Sequence, residues 1–585
     1  MVMGRPLKGD QAMDTTVNLT LIVAAQEELV VAAEQEPVPP RVAAAAAVTE
    51  FDQRDSAWTT RSQIARELQI PDSTLRYWLR RRWRHMHQSH WPPQVVQFLE
   101  SRDGLAFLHV VLTAAHLVFV QANDCGLRHL SWFLELSGLD EFIAASFGAQ
   151  QEVARQMETL LIRFAEEEDQ RLAAQMPPRQ ITVAEDETFH PDICLVAMEP
   201  VSGFLLVEQY QPHRDAETWN QCLRQKLQPL PVTVCQVVSD EAKALLRQAE
   251  VLLGVHHSPD LFHVQHDMVR ATSLALAGQT DRTAAAVTQA EAQTAELQRQ
   301  VQACREQCPQ SSSLQVLEQQ HRQAQAAEAA VREQYAACQD RQQRAHQAVR
   351  GLGQDYHPFD IQTGQALDEN AVAQRLAGHF QQLDQIAAAA GLSARATQKL
   401  AKARRVLKAM QATVKFYWTL LEVWISNWNL SPAVAQWLRE DLIPGWYLAR
   451  TAEKAEPANE RHRLRELSEK ILARARSPTG VWGTLSPEQR LDLERKAQAC
   501  ADLFQRSSSC VEGRNGNLAL KHHALHHFTT RKLQALTVLH NYVIRRADGT
   551  TAAERFYGAA PRDGFAWLLD RLDVPARPRT RRRHA

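Results

Sequence analysis

Three acidic positions in this 585-residue chain stand where they could hold a hard divalent ion. Asp186, flanked by Glu185 and Glu187, closes the alternating run I181-T-V-A-E-D-E-T. Asp240 closes V232-T-V-C-Q-V-V-S-D, and Glu512 stands in S507-S-S-C-V-E-G-R-N-G-N, ahead of a His-rich helical segment. Carboxylate oxygens suit Mg²⁺, which keeps part of its water shell, so a few of them suffice. Two such ions, roughly 4 Å apart, activate a water or a 3′-hydroxyl at a phosphodiester and stabilise the leaving oxygen. Gly513 and Gly516 fit that chemistry. Each costs about 1 kcal/mol in a helix relative to Ala, and each leaves backbone and space bare where a nucleic-acid strand must approach. A plainer account gives Glu512 a structural task, because Ser509 and Glu512 have the S-x-x-E spacing of a capping box. That accounts for the Glu and not for the glycines.

The elements that must position these acids are legible in the periodicity. From residue 181 the apolar period is two: a strand over I181-T-V-A-E-D-E-T-F, a second over I193-C-L-V-A-M, and a third over F204-L-L-V-E-Q-Y after the turn Glu199–Gly203. A helix from Ala216 to Leu227 follows, then the strand V232-T-V-C-Q-V-V-S, a helix from Glu241 to Leu253, and a short strand around Gly254-Val255. Three antiparallel strands, helix, strand, helix, strand is the order of an RNase H-like core. Such a core takes its acids from the first strand, the end of the fourth, and a helix after the fifth, which are the places of Asp186, Asp240 and Glu512. Alternation from Ile181 and Val183 puts Glu185 and Glu187 on the apolar side and Asp186 opposite. The first ligand is one of these three.

The expected fold class is α+β and predominantly helical: an RNase H-like core interrupted by an all-α, coiled-coil insertion, with an N-terminal helix-turn-helix. Residues 1–50 are Ala/Glu/Pro-rich and of low complexity. Over 51–90, the stripes Ile64, Ala65, Leu68 and Leu75, Trp78, Leu79 flank the turn Gln69-Ile70-Pro71, with Asp72 or Ser73 as the N-cap of the second helix. That helix presents Arg76, Tyr77, Arg80 and Arg81 as DNA-binding residues. Residues 91–178 form a helical connector, 179–265 the first part of the core, and 266–505 the insertion. Apolar or small residues at 3–4 spacing on both sides of Pro309–Ser312 make an antiparallel coiled-coil hairpin at about 284–350, with Glu328 in its seam. The five tryptophans Trp418, Trp424, Trp428, Trp437 and Trp446 are read mostly as core of a following bundle. The core's last part is 506–560, and 561–585 is a basic C-terminal tail.

Composition narrows the classes. Lys and Arg number 66 against 67 Asp and Glu, so any nucleic-acid contact must come from local patches such as the seven arginines of residues 61–84. Nine cysteines, an odd number without a C-x-x-C pair, fit a reducing compartment and argue against a zinc ribbon and a disulfide framework. The apolar run Leu105–Val120, holding His109 and His116, is shorter than the ~20 residues of a membrane span and reads as a buried core helix. The His522/His526 and His523/His527 spacings lack the H-E-x-x-H pattern and read as surface or DNA-facing histidines rather than a zinc site.

The texts A184-E-D-E-T, V237-V-S-D-E-A, D260-L-F-H and V511-E-G-R-N-G together resemble the bacterial insertion-sequence DDE transposases of the retroviral-integrase superfamily, especially groups with a helical insertion before the last acid. Asp260-Leu261-Phe262-His263 is similar to the D-x-x-H signature of the hAT-, P-element- and Mutator-like branches. The blocks D124-C-G-L-R-H-L-S-W-F-L-E-L-S-G-L and A547-D-G-T-T-A-A-E-R-F are similar to stretches in transposase-like proteins of an uncharacterised domain family. The resemblance covers about 60–558. It implies Asp186, Asp240 and Glu512 as metal ligands, His263 as a catalytic residue near the scissile phosphate, and Arg514 as a DNA contact. It further implies two Mg²⁺ ions (Mn²⁺ substituting), terminal inverted repeats and target DNA as partners, a homo-oligomer of at least two chains, no membrane, and a cytoplasmic, nucleoid-associated location. The alternative on the same scaffold is a catalytically inactive, domesticated DNA-binding regulator.

Overall fold

The computed structural model describes residues 60–573, apart from 77–78, 80–90, 124, 190–191 and 526–528. The chain divides at Gly104/Leu105 into two units.

In the first unit, the helix Arg61–Glu67 starts from a capping box in which Thr60 and Gln63 satisfy each other's backbone amides. Ile64, Ala65 and Leu75 are buried, with Leu68, Ile70 and Leu79 packed on them. Between the two stripes Gln69 takes φ of 52°. The next helix enters at Pro71, whose carbonyl accepts from Thr74 and Leu75, and not at an Asp72 or Ser73 cap. Asp72 is committed elsewhere: it accepts from Arg61, Ser62 and Arg76.

The second unit is built around one five-stranded sheet in the order β3-β2-β1-β4-β5. The strands are β1 (Arg179–Phe189), β2 (Ile193–Glu199), β3 (Phe204–Gln211), β4 (Val232–Ser239) and β5 (His256–Pro259). β1, β2 and β3 pair antiparallel, whereas β4 runs parallel to both β1 and β5. A parallel partner needs a crossover, which the helix Ala216–Leu227 supplies between β3 and β4. Strand β5 begins two residues after the expected Gly254-Val255. Gly254, at φ of 70°, is spent ending the preceding helical turn in the left-handed conformation that glycine tolerates. One core joins the sheet (Val183, Val196, Leu205, Val237) to the 27-residue helix Phe147–Ala173 and to the C-terminal helices. That long helix leads from the connector into the sheet.

Directly after β5, Asp260 caps a 47-residue helix, Leu261–Gln307, by accepting from the Phe262 amide. At about 1.5 Å per residue it is ~70 Å long. The chain reverses at Cys308–Ser311 and returns as the 44-residue helix Ser312–Asp355. The hairpin is therefore longer than the expected 284–350, because its first helix grows straight out of the sheet. Its seam is thin, with Thr294, Val301, Leu314 and Cys338 buried. Arg332 bridges Glu328 on its own helix and Glu291 on the opposite one. A second core holds helices between residues 369 and 502 around Leu376, Tyr417, Leu442 and Leu493. There Trp437 is buried and Trp418, Trp424, Trp428 and Trp446 are packed partly buried.

The run Leu105–Val120 lies in a helix Arg102–Ala122 that is, by length and composition, long and apolar enough to cross a membrane. It is also part of the folded body. His116 is buried against Gln150, and Lys532 donates to the Val120 carbonyl and the Gln121 side chain.

Candidate functional site

Asp186 sits near the end of the central strand. The β1–β4 register ends at Ala184 opposite Val238, so Asp186 and Asp240 leave neighbouring parallel strands at the same edge of the sheet. The helix Ser509–Leu525 packs across β1 and β2 and carries Glu512 in its first turn. Three ties fix that helix. Arg514, buried, makes a bidentate ion pair with Glu208 of β3 at 2.6 and 2.7 Å. Asn515 donates to Asp186 Oδ2 at 2.7 Å. Ser508 Oγ donates to Asp260 Oδ2 at 2.5 Å, which joins the start of this helix to the cap of the long hairpin helix. That cap positions His263 as well, one turn into the same helix.

The result is a group of three. Ligand atoms of Asp186, His263 and Glu512 all lie within 4.8 Å of one another, and His263 Nε2 is 3.2 Å from Glu512 Oε1. Asp240 is outside this group. Its Oδ1 accepts from the Ala242 amide, and its charge is felt at Glu187. The electrostatics follow from the crowding. Burial, and then the adjacent Glu512 charge, push the Asp186 carboxyl up to about 7. Contact with His263 holds the Glu512 carboxyl below its ordinary value, and reciprocally Glu512 raises the His263 imidazole to about 9. The repulsion between the two carboxyls favours a proton on Asp186, and the His263 imidazolium compensates the charge that stays on Glu512.

These groups suit a divalent ion. Two carboxylates and an imidazole converge from separate elements, and repulsion between the carboxylates is what a bound cation would relieve. His263 Nε2 and Asn515 Oδ1 are both buried without an aligned hydrogen-bond partner. A Cβ added at Gly513 or Gly516 would meet nothing within 4 Å, so the helix is bare on the face beside Glu512.

Two sequence expectations are corrected. The S509-x-x-E512 capping box does not form. Ser508 is the cap, its carbonyl accepting from Val511 and Glu512, while the Ser509 amide is taken by Ser507 Oγ. Ser509 is already the first helical residue, one place too late to cap. Arg514, expected to touch DNA, is buried in its pair with Glu208, with Thr537 completing the carboxylate's shell, so its guanidinium is committed inside the protein. Of the three acids at the end of β1, Glu185 is buried on the other face of the sheet. There it accepts from Gln248 and is pushed up to about 8 by burial. Glu187 faces Arg214 at 3.6 Å. Asp186 alone of the three belongs to the group with Glu512. Arg76 is exposed and bonded to Asp72; Tyr77, Arg80 and Arg81 lie outside the described residues, as do His526 and His527.

Asn515 was not singled out from the sequence. A signal was available: Val511, Leu518 and Arg514 recur at helical spacing, and Asn515 lies beside Arg514 on that inward face.

Comparison with protein families finds a match over residues 438–584 to DUF6399, a family of unknown function. That segment contains Glu512 but neither Asp186 nor Asp240. No curated protein and no solved structure matches the chain.

Proposed function

We propose that the chain is a DDE transposase, cutting and joining DNA strands with divalent metal ions on an RNase H-like core. The observation that carries this reading is the meeting of Asp186, on the central strand, with Glu512, on a helix that follows the whole helical insertion. Supporting it are Asp240 at the end of the adjacent parallel strand and a sheet whose first three strands are antiparallel while the last two run parallel to the first. An RNase H-like core has that arrangement.

In this reading Asp186, Asp240 and Glu512 supply oxygen ligands, and Asn515 orients Asp186 through its 2.7 Å hydrogen bond. His263, held in its charged form by Glu512, stands where it can meet a scissile phosphate. Mg²⁺ ions, with Mn²⁺ as substitute, would activate the attacking water or 3′-hydroxyl and offset charge on the leaving oxygen. The helices on either side of Gln69 are assigned to a helix-turn-helix that reads terminal repeats, with Arg76, Tyr77, Arg80 and Arg81 on the DNA side. A homo-oligomer pairing two DNA ends in the cytoplasm, at the nucleoid, completes the proposal.

The test is nicking of a duplex carrying the DNA that flanks the reading frame. The wild type should nick it only with Mg²⁺ or Mn²⁺, and Asp240→Ala should abolish the cut. Specific binding without any nicking would instead favour the catalytically inactive regulator.

A further inference from the structure

Beside the acid group, and distinct from it, is a cavity of about 450 Å³ between the base of the hairpin and the bundle that follows. Its walls include Phe262, Tyr447 and Phe504. Two of its cations, Lys454 and Arg506, form no direct ion pair, although Asp502 and Glu460 on the same wall attract them from a distance. Arg506 NH1 donates to the carbonyls of Gly353 and Tyr356 at 2.6 and 2.8 Å, which fixes the guanidinium in place. Lys454 Nζ has Gln505 Oε1 at 3.2 Å. Among the described residues neither has a carboxylate within ion-pair distance. Asp502 on the same wall is taken by Arg450 at 3.0 Å, and Glu456 and Glu460, also on the wall, form no ion pair with either cation.

Holding two cations in a partly enclosed space without a directly paired anion is unfavourable. Burial lowers the pKa of both, and at Lys454 the Arg506 charge adds to that effect against the opposing pull of Asp502. A fold that keeps them there gains when an anion arrives. Phosphate is the anion best matched to a fixed guanidinium beside an ammonium. The volume exceeds what an inorganic ion needs and falls in the range of small-molecule sites, and the aromatic walls suit a flat ring.

We infer that this cavity is a nucleotide-phosphate site, with the phosphate on Lys454 and Arg506 and the organic part against Phe262 and Tyr447. The same chemistry has two sources, a free nucleotide or a nucleotide of a strand lying across the acid group. Position allows either, since Phe262 precedes His263 and Ser509, also on the wall, stands one turn before Glu512. The inference does not depend on the DNA-cutting proposal, because it uses none of the acids.

The experiment is calorimetric titration of the full chain in EDTA, so that no metal chemistry enters, with inorganic phosphate, dAMP and a short 5′-phosphorylated single strand. The wild type should bind dAMP or the strand. Lys454→Met should weaken that binding about tenfold or more, the scale of one charged hydrogen bond, while Lys454→Arg stays near wild type. In the wild type alone, the bound probe should protect Lys454 from acetylation, read by mass spectrometry, which covers the case of a variant that folds poorly. A strand that binds tenfold tighter than dAMP assigns the site to DNA, and dAMP binding as well or better assigns it to a free nucleotide. No binding of any probe at millimolar concentration, binding untouched by Lys454→Met, or acetylation of Lys454 unaffected by probe overturns the inference.

Discussion

Glu185 and Asp186 are chain neighbours with opposite surroundings. The first is enclosed on one face of the sheet with Gln248, and the second meets Glu512 and His263 on the other. Strand alternation made this division readable, since Ile181 and Val183 mark the enclosed side. It left open which of the three acids meets the distant helix, because that partner is remote in sequence. The buried acid gives a prediction with a definite sign. Glu185 keeps its proton in the folded state up to about 8, against 4.5 for an ordinary Glu, so the folded state binds the extra proton between those values. Its contribution therefore falls as pH rises through that window. Glu185→Gln should gain stability relative to wild type as pH goes from about 5 to about 8, measured by urea unfolding. A difference between the two proteins that is independent of pH would mean that Glu185 is not held neutral.

At the scale of elements, the Ser509–Leu525 helix shows what sequence reasoning can and cannot extract. Its existence and the place of Glu512 in its first turn were legible from the S-x-x-E text and the helical run behind it. Its exact start was not, because Ser507, Ser508 and Ser509 are chemically equal candidates and only the backbone bonds select Ser508. Nor was the role of Arg514: an arginine beside glycines near an acid reads as a phosphate contact, yet helical spacing from Val511 to Leu518 turns it inward to Glu208. The long hairpin was under-read for a related reason. Its base is packed by the bundle, so the two-helix seam pattern appears only farther out. The buried pair should be costly to break. Arg514→Met leaves Glu208 without its counter-ion and should destabilise the protein by about 3–5 kcal/mol, whereas the double variant Glu208→Leu/Arg514→Met should recover part of the loss. Urea unfolding decides this, and an Arg514→Met protein as stable as wild type would show that the pair does not anchor the helix.

On the scale of the whole molecule, one helix begins at the acid group and ends about 70 Å away at the hairpin tip. The shared Ser508–Asp260 bond couples its base to the helix that carries Glu512. Most side chains around the tip are exposed, and under the proposed function the tip is assigned to contacts between copies or with DNA. Deleting residues 287–338 with a short linker should leave the melting of the sheet core near wild type while impairing complexes that pair two DNA ends, seen by gel shift. Wild-type strand transfer by that deletion protein would remove the role assigned to the tip. Glu512 tests the acid group most directly, because among the described residues its carboxylate caps no backbone amide. Glu512→Gln keeps the size of the side chain and an oxygen that can accept from His263, and removes the charge a metal requires. The measurement is Mg²⁺-dependent cleavage of the flanking-DNA duplex by this variant beside wild type, with unfolding recorded on the same samples. Stability within about 1 kcal/mol of wild type together with cleavage reduced by orders of magnitude is the predicted result; cleavage at the wild-type rate would contradict the metal site.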